Sequence, residues 1–348
     1  DEFALVLEEA DQEAAVHAAQ RAREALSEPF SLEGLLVEVS ASTGIAVSPD
    51  HGDDLEELLK RADVAMYLSK ESGQVEVYDP TRDPNTPGRL VLLGAFRRAL
   101  EQDELLLHYQ PKADARTGEV VGCEALVRWQ HPELGLVLPD GFIPLAERSG
   151  LITSMTTWLL DTSLRQLALW RARGWDLCMA LNITVKDLGN ESFVGDVLQA
   201  LERNGLPPDA VQLELTEGSL FADSTRARTA LKQLLAAGIS LSLDDFGTGW
   251  SSLGQLRQLP VSEIKVDRSF VSRMAQDPRD LAIVTSVINL GRGLGVRVVA
   301  EGVEDVATWR LLAELGCDRV QGWALSRPLP PAELEPWLAE RLATPVAY

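Results

Sequence analysis

Apolar and polar positions alternate in short runs along the chain, and the rhythm changes once. Up to residue 80 the spacing predicts a strand at Phe3–Leu7, a helix over Gln12–Leu26 and an extended pair around "LLVEVSASTGIAVS". A second helix over "DLEELLKRADVAMYLSKESG" and a short strand at Val75–Tyr78 complete an α+β pattern. The stretch "YDPTRDPNTPGRL", Tyr78 to Leu90, then brings three prolines and a glycine, which leave no room for a continuous helix or a central strand. The boundary belongs there, with residues 1–80 as one unit, 81–88 as linker and 89–348 as a second unit.

In the second unit, short apolar runs alternate with helical stretches, the pattern of βα units around a parallel sheet. The runs are "ELLLHYQP", "EVVGCEALVRW", "LCMALNITV", "VQLELTE", "ISLSLDD", "EIKVD", "VRVVAEGV" and "DRVQGWA". Eight runs over about 250 residues suit a closed, TIM-like (β/α)8 barrel of the α/β class. The intervening helices are punctuated as helices should be. Asp223 or Ser224 caps one that ends at Gly238, and another ends at Gly174.

Polar residues recur at the C-terminal end of nearly every run: Glu124 and Arg128, Asn182, Glu214 and Glu217, Asp244 and Asp245, Lys265 and Asp267, Glu301 and Glu304, Gln321. In a barrel these ends share one face, the face on which barrel enzymes place their chemistry. One such carboxylate is ordinarily a solvated loop residue or a helix cap; their coincidence at so many ends is the signal. Adjacent Asp244 and Asp245 repel each other unless a cation sits between them. Glu124, Asn182, Glu214, Asp244, Asp245 and Glu301 are hard oxygen donors, enough for two divalent cations. Two cations about 4 Å apart are a device for phosphoryl chemistry. Arg128 supplies a planar fork for a phosphate oxygen, and Lys265 holds or deprotonates the attacking water.

Charge narrows the partners. Of 348 residues, 32 are Lys or Arg and 53 are Asp or Glu, a net charge of −21. That field disfavours a nucleic-acid duplex or an anionic membrane, so an anionic substrate must be met by metals or by local Arg and Lys. Cys123, Cys178 and Cys317 form neither a disulfide ladder nor a zinc spacing and read as buried thiols of a reducing, cytoplasmic compartment. The four histidines form no HExxH pair, and His108 and His131 sit in strand and turn contexts, which leaves oxygen ligands and hence Mg2+ or Mn2+. No apolar run of about 18 residues and no signal peptide occurs, and the start at Asp1 predicts a longer parent. "GRGLGVRVV" precedes a strand instead of following one, so it reads as a helix end, and "DDLEELLK" as a solvated helix start.

Together "EALVRW", "PLAERSGLI", "LNIT", "ELTE", "DDFGTGWSSL", "KVD", "AEGVE" and "QGW" resemble, in order, the EAL domain, a family of cyclic di-GMP phosphodiesterases. Residues 1–80 resemble the second half of a GGDEF diguanylate cyclase domain: Asp1-Glu2-Phe3 match the end of its signature, and "ASTGIAV" and "RADVAMYLSKESG" its later motifs. The resemblance implies hydrolysis of cyclic di-GMP to linear pGpG in bacterial signalling, with two cations, Mg2+ or Mn2+. It implies ligation by Glu124, Asn182, Glu214, Asp244, Asp245 and Glu301, with Lys265 on the catalytic water and Gln321 lining the site. Glu217 would anchor the "DFGTG" loop and Arg128 would contact a substrate phosphate. Trp250 and Trp323 stand where tyrosine is commoner, each an aromatic for packing or guanine stacking. A homodimer through the EAL domain is expected, in the cytoplasm or as the cytoplasmic part of a membrane-anchored sensor. The GGDEF segment lacks what precedes the signature, so no cyclase activity is expected, and its first strand should present an unpaired edge.

Three other readings stay open at this point. A receptor would bind cyclic di-GMP without cutting it. An enolase-like barrel would use Lys265 beside one metal on Glu214, Asp244 and Glu301, although the doubled aspartate, Asn182 and Arg128 suit phosphodiester hydrolysis better. A purely structural module would bury the carboxylates unpaired, which is costly.

Overall fold

A computed structural model describes residues 3–27, 30–32, 35–37, 41–72, 74–80, 83, 87–216, 225–247 and 261–343. The chain divides into two compact units, Asp1–Ala95 and Phe96–Tyr348.

In the first unit the helices Gln12–Ser27 and Leu55–Ser72 stand where the apolar spacing puts them. Strands β1 (Phe30–Leu32) and β2 (Leu35–Val37) pair antiparallel, and β3 (Gly44–Ile45) pairs in parallel with β4 (Glu76–Val77). The extended pair expected around residues 35–48 is therefore two strands of different sheets. Phe3–Leu7 forms no strand, and Phe3, Leu5 and Val6 are exposed, so the expected unpaired edge does not occur there. Val64 and Ala65 pack with Tyr78 and Ala46, and Tyr78 donates to Asp83 at 2.7 Å. Gly44 lies so close to the helix Leu55–Ser72 that a Cβ would stand 2.0 Å from the Met66 nitrogen. The helix Pro87–Ala99 begins inside the proline-rich stretch, with its proline at the first position, where no N–H is needed.

In the second unit all eight predicted strands are present: β5 (Leu105–Asp114), β6 (Val120–His131), β8 (Cys178–Asn182), β9 (Val211–Thr216), β10 (Ser240–Phe246), β11 (Glu263–Val266), β12 (Arg297–Ala300) and β13 (Arg319–Gln321). They close into a barrel in the order β5-β13-β12-β11-β10-β9-β8-β6, with β6 returning to β5. A short β7 (Gly135–Val137) lies outside against β6. One strand departs from the parallel expectation, because β5 runs antiparallel to both neighbours. The reason is local: the connection from Asp114 to Val120 is too short for a crossover. Asp114 Oδ1 accepts from the Arg116 and Thr117 amides and Gly118 takes φ 69°, which together make a tight hairpin.

Helices cover the outside through aromatic contacts. Phe96 stacks on Phe142 at 5.3 Å and meets Trp129 edge-on, and Tyr109 meets Trp170 at 5.0 Å. The run "GRGLGVRVV" is a helix end as expected, Pro278–Leu294 terminating at left-handed Gly295. The proposed caps Asp223 and Ser224 lie outside the described residues. Among the described residues no helix is long and apolar enough to cross a membrane.

Candidate active site

Strand register decides which side chains meet inside the barrel. Glu124 lies beside Ala180, Asn182 beside Glu214, Glu214 beside Ser242, and Ser242 beside Glu263, so these positions share the inner face. A barrel interior is usually filled by branched apolar side chains. Here it buries Lys112, Glu124, Glu214, Ser242, Asp244, Glu263, Lys265 and Gln321.

Lys265 stands at the centre. Its Nζ lies 2.7 Å from Glu214 Oε2, 2.7 Å from Glu301 Oε1, 3.0 Å from Asp244 Oδ1 and 3.5 Å from Glu124 Oε2. Burial alone would favour the neutral amine, but the surrounding carboxylates outweigh it and hold the ammonium well above its ordinary pKa. The ammonium therefore spends its donors on the carboxylates around it.

Glu124 is fixed from both sides. Asn182 Nδ2 donates to its Oε1 at 2.7 Å and Gln321 Nε2 to its Oε2 at 2.7 Å. Burial works against ionisation of Glu124, yet Lys265 and Lys112 overcome it and keep the carboxyl below the usual range. With Nδ2 spent on Glu124, Oδ1 is the atom that Asn182 can offer a cation. Gln321 Oε1 is buried without a hydrogen-bond partner.

The adjacent aspartates meet through a bulge. Leu243 pairs with Ile264 and Phe246 with Val266, so two residues of β10 face one of β11, and Asp245 takes φ 53°. As a result, carboxylate oxygens of Asp244, Asp245 and Glu301 lie within 4.8 Å of one another. Burial, then the charge of Asp244, pushes Asp245 up to about 6. Burial, then Glu124, pushes Glu214 up to about 7, and Glu301 is driven upward chiefly by burial. The carboxylates exceed what the two lysines neutralise, and their donor atoms are hard oxygens. Glu124, Asn182, Glu214, Asp244, Asp245 and Glu301 thus fit divalent cations of the Mg2+ or Mn2+ type.

The rest of the predicted set divides. Arg128 follows Glu124 by four residues on the same face of β6, with Nη1 donating to the Val127 carbonyl at 2.8 Å. Trp323, two residues past Gln321, is 54% exposed and carries the Arg327 guanidinium 4.5 Å from its ring centre. Asp267 instead caps the helix Arg268–Val271 by accepting from the Ser269 amide, and Glu304 is exposed. Glu217, Trp250 and the "DFGTG" loop beyond Gly247 lie outside the described residues. His131 Nδ1 accepts the Glu133 and Leu134 amides, and His108 sits on β5. Sequence reasoning missed Lys112, whose Nζ lies 2.5 Å from Glu214 Oε1, and Glu263, fully buried against Arg319 at 2.8 Å. Glu263 opens β11, and Lys112 lies near the C-terminal end of β5, which the reversed strand carries to the other end of the barrel.

Comparison with known proteins identifies the family. The family described as "EAL domain" matches residues 93–328, and "Diguanylate cyclase, GGDEF domain" matches residues 1–76. The bifunctional diguanylate cyclase/cyclic di-GMP phosphodiesterase MucR of Pseudomonas aeruginosa is 41% identical over 337 residues, covering 96% of this chain and 49% of that protein. The cyclic di-GMP phosphodiesterase PdeR of Escherichia coli is 37% identical over 339 residues, covering 97% of this chain and 51% of that one. The chain thus spans about half the length of these relatives. Among solved structures, the MucR phosphodiesterase in complex with c-di-GMP superposes with a TM-score of 0.68 at 44% identity, covering 70% of this chain and 99% of that one. The EAL domain of Mycobacterium smegmatis DcpA gives 0.59 at 38% identity, covering 68% and 98%. On its barrel, its strand-end residues and these matches, the chain belongs to the EAL-domain family.

Proposed function

We propose that the barrel hydrolyses one phosphodiester bond of cyclic di-GMP to give linear pGpG. The observation that carries this reading is the cluster of Asp244, Asp245 and Glu301 oxygens within 4.8 Å, set beside Glu124, Glu214 and Lys265 at the strand ends. Two divalent cations, Mg2+ or Mn2+, bound by these residues and Asn182 would supply an activated water and stabilise the charge of the displacement. The MucR structure in complex with c-di-GMP supports the substrate assignment by likeness.

The chain's own groups divide the remaining work. Lys265 holds the attacking water by an N–H donor and offsets the excess carboxylate charge. Arg128 presents its fork to a phosphate oxygen, where the protein's net charge of −21 otherwise opposes an anion. Gln321 fixes Glu124 and lines the floor, and Trp323 offers its exposed face to a guanine. Residues 1–80 form the GGDEF-like part, residues 81–88 a linker, and residues 89–348 the phosphodiesterase, acting as a homodimer in the cytoplasm.

The test incubates the chain with cyclic di-GMP and Mg2+ or Mn2+, beside Asp244→Asn, and follows pGpG by chromatography. Product from the wild type alone is the expected result. Binding without product in both would replace the hydrolase reading by that of a silent receptor.

A further inference from the structure

Below the strand-end carboxylates the barrel axis holds a second ionic layer. Lys112 Nζ stands 2.5 Å from Glu214 Oε1 and 3.7 Å from Glu263 Oε1. Glu263 takes Arg319 Nη1 on its other oxygen at 2.8 Å, and Arg319 opens β13, on the N-terminal side of the barrel. Glu214 therefore has one oxygen held by Lys112 from below and the other by Lys265 at 2.7 Å from above. Both lysine side chains are buried, with exposures of 3% and 1%, so neither donor has solvent to swing into.

We infer that Lys112, seated by Glu263 and Arg319, is a positioning residue that clamps Oε1 of Glu214 and leaves Oε2 as the atom presented to the cation site. The inference rests on the cation-binding part of the proposed function. A carboxylate free to turn about its terminal torsion offers either oxygen; one gripped by Lys112 offers a single, preset one. Partners that orient a ligand in this way are worth about 10- to 100-fold in metal affinity.

Charge alone predicts the opposite sign. Deleting an ammonium beneath a carboxylate cluster should draw a cation in more tightly, whereas deleting a clamp should loosen it. The experiment titrates Mn2+ into wild type, Lys112→Met and Lys112→Met/Glu263→Gln without substrate, reading free Mn2+ by electron paramagnetic resonance. The double variant removes one cation and one carboxylate together, so the lower layer keeps its net charge and Glu263 is not stranded if the single variant fails to fold; circular dichroism verifies its fold. The dissociation constant for Mn2+ is expected to rise about tenfold or more in the folded variants. An unchanged or tighter constant in the folded double variant overturns the positioning role and leaves the proposed function standing. A wild-type chain that takes up no Mn2+ overturns both.

Discussion

Asp244 and Asp245 are neighbours in the chain, yet their carboxylate oxygens and those of Glu301 lie within 4.8 Å of one another. In a regular strand adjacent side chains point to opposite faces. The bulge against β11 and the left-handed backbone of Asp245, φ 53°, remove that alternation. Asp and Asn tolerate this backbone, but a β-branched residue does not. Asp245→Asn should therefore keep the fold and lose cyclic di-GMP cleavage by on the order of 10²-fold, the scale of removing one preset electrostatic group. Asp245→Val should lose about 1–2 kcal/mol of stability in addition. Equal urea midpoints for the two variants would sink the bulge argument.

Lys265 faces four carboxylates with its side chain 1% exposed. Lys265→Met strands those charges in a dry interior, and breaking a buried ionic group in this way costs about 3–5 kcal/mol. Adding Glu214→Gln should recover part of that loss, because it removes the carboxylate most deeply buried against the lysine. Urea unfolding of the single and double variants measures the coupling; simple additivity would show that Lys265 is not the neutralising cation.

Much of the barrel was legible because each strand is a short apolar run ending in a polar residue, and all eight runs from Leu105 to Gln321 became strands. What escaped depends on direction and on pairing. The "DARTG" hairpin reverses β5, so Lys112 near its C-terminal end lies in the lower layer, where a rule about strand ends does not look. Residues 35–48 alternate as a hairpin would, but their partners come from elsewhere in the chain, and alternation says nothing about partners. Asp267 carries the same strand-end signature as Glu301, but it is spent locally on the Ser269 amide. Only knowledge of where the next helix starts separates a cap from a ligand.

Cation removal gives a prediction about stability as well as turnover. A ligand that binds only the folded chain stabilises it by about 2.7 kcal/mol at 100 times its dissociation constant. Mn2+ added to the chelator-treated protein should raise the unfolding temperature in wild type and leave Asp244→Asn unmoved. Without metal, Asp244→Asn should melt no lower than wild type, since it removes one of several crowded like charges. Differential scanning fluorimetry with and without chelator reads both effects. A similar rise with Mn2+ in the variant would place the cation elsewhere.

Trp323 offers a substrate prediction that separates binding from chemistry. Its indole is 54% exposed beside the buried Gln321, with Arg327 already on the ring at 4.5 Å. Stacking of a base on an aromatic side chain is worth about 1–3 kcal/mol. Trp323→Ala should raise KM for cyclic di-GMP by about tenfold with kcat little changed, and Trp323→Phe should restore most of the loss. A fall in kcat at constant KM would assign Trp323 to the reacting centre and not to the guanine.

Glu263 contributes stability to the barrel that fades in acid. Burial pushes its carboxyl up, but Lys112, Arg319 and Arg297 prevail and hold it below the ordinary value. A carboxyl with a lower pKa in the folded chain than in the unfolded one stabilises above the unfolded value and ceases to do so as pH falls through the folded value. Glu263→Gln lacks this contribution and leaves Lys112 and Arg319 facing a neutral amide, a loss of about 3–5 kcal/mol at neutral pH. The gap in unfolding free energy between wild type and variant should therefore be widest near pH 7. It should narrow as the pH drops below about 5, where an unpaired carboxyl begins to take up its proton. Urea midpoints measured across that range decide the matter, since a gap that stays constant into acid would mean that Glu263 is held by packing and hydrogen bonds and not by its charge.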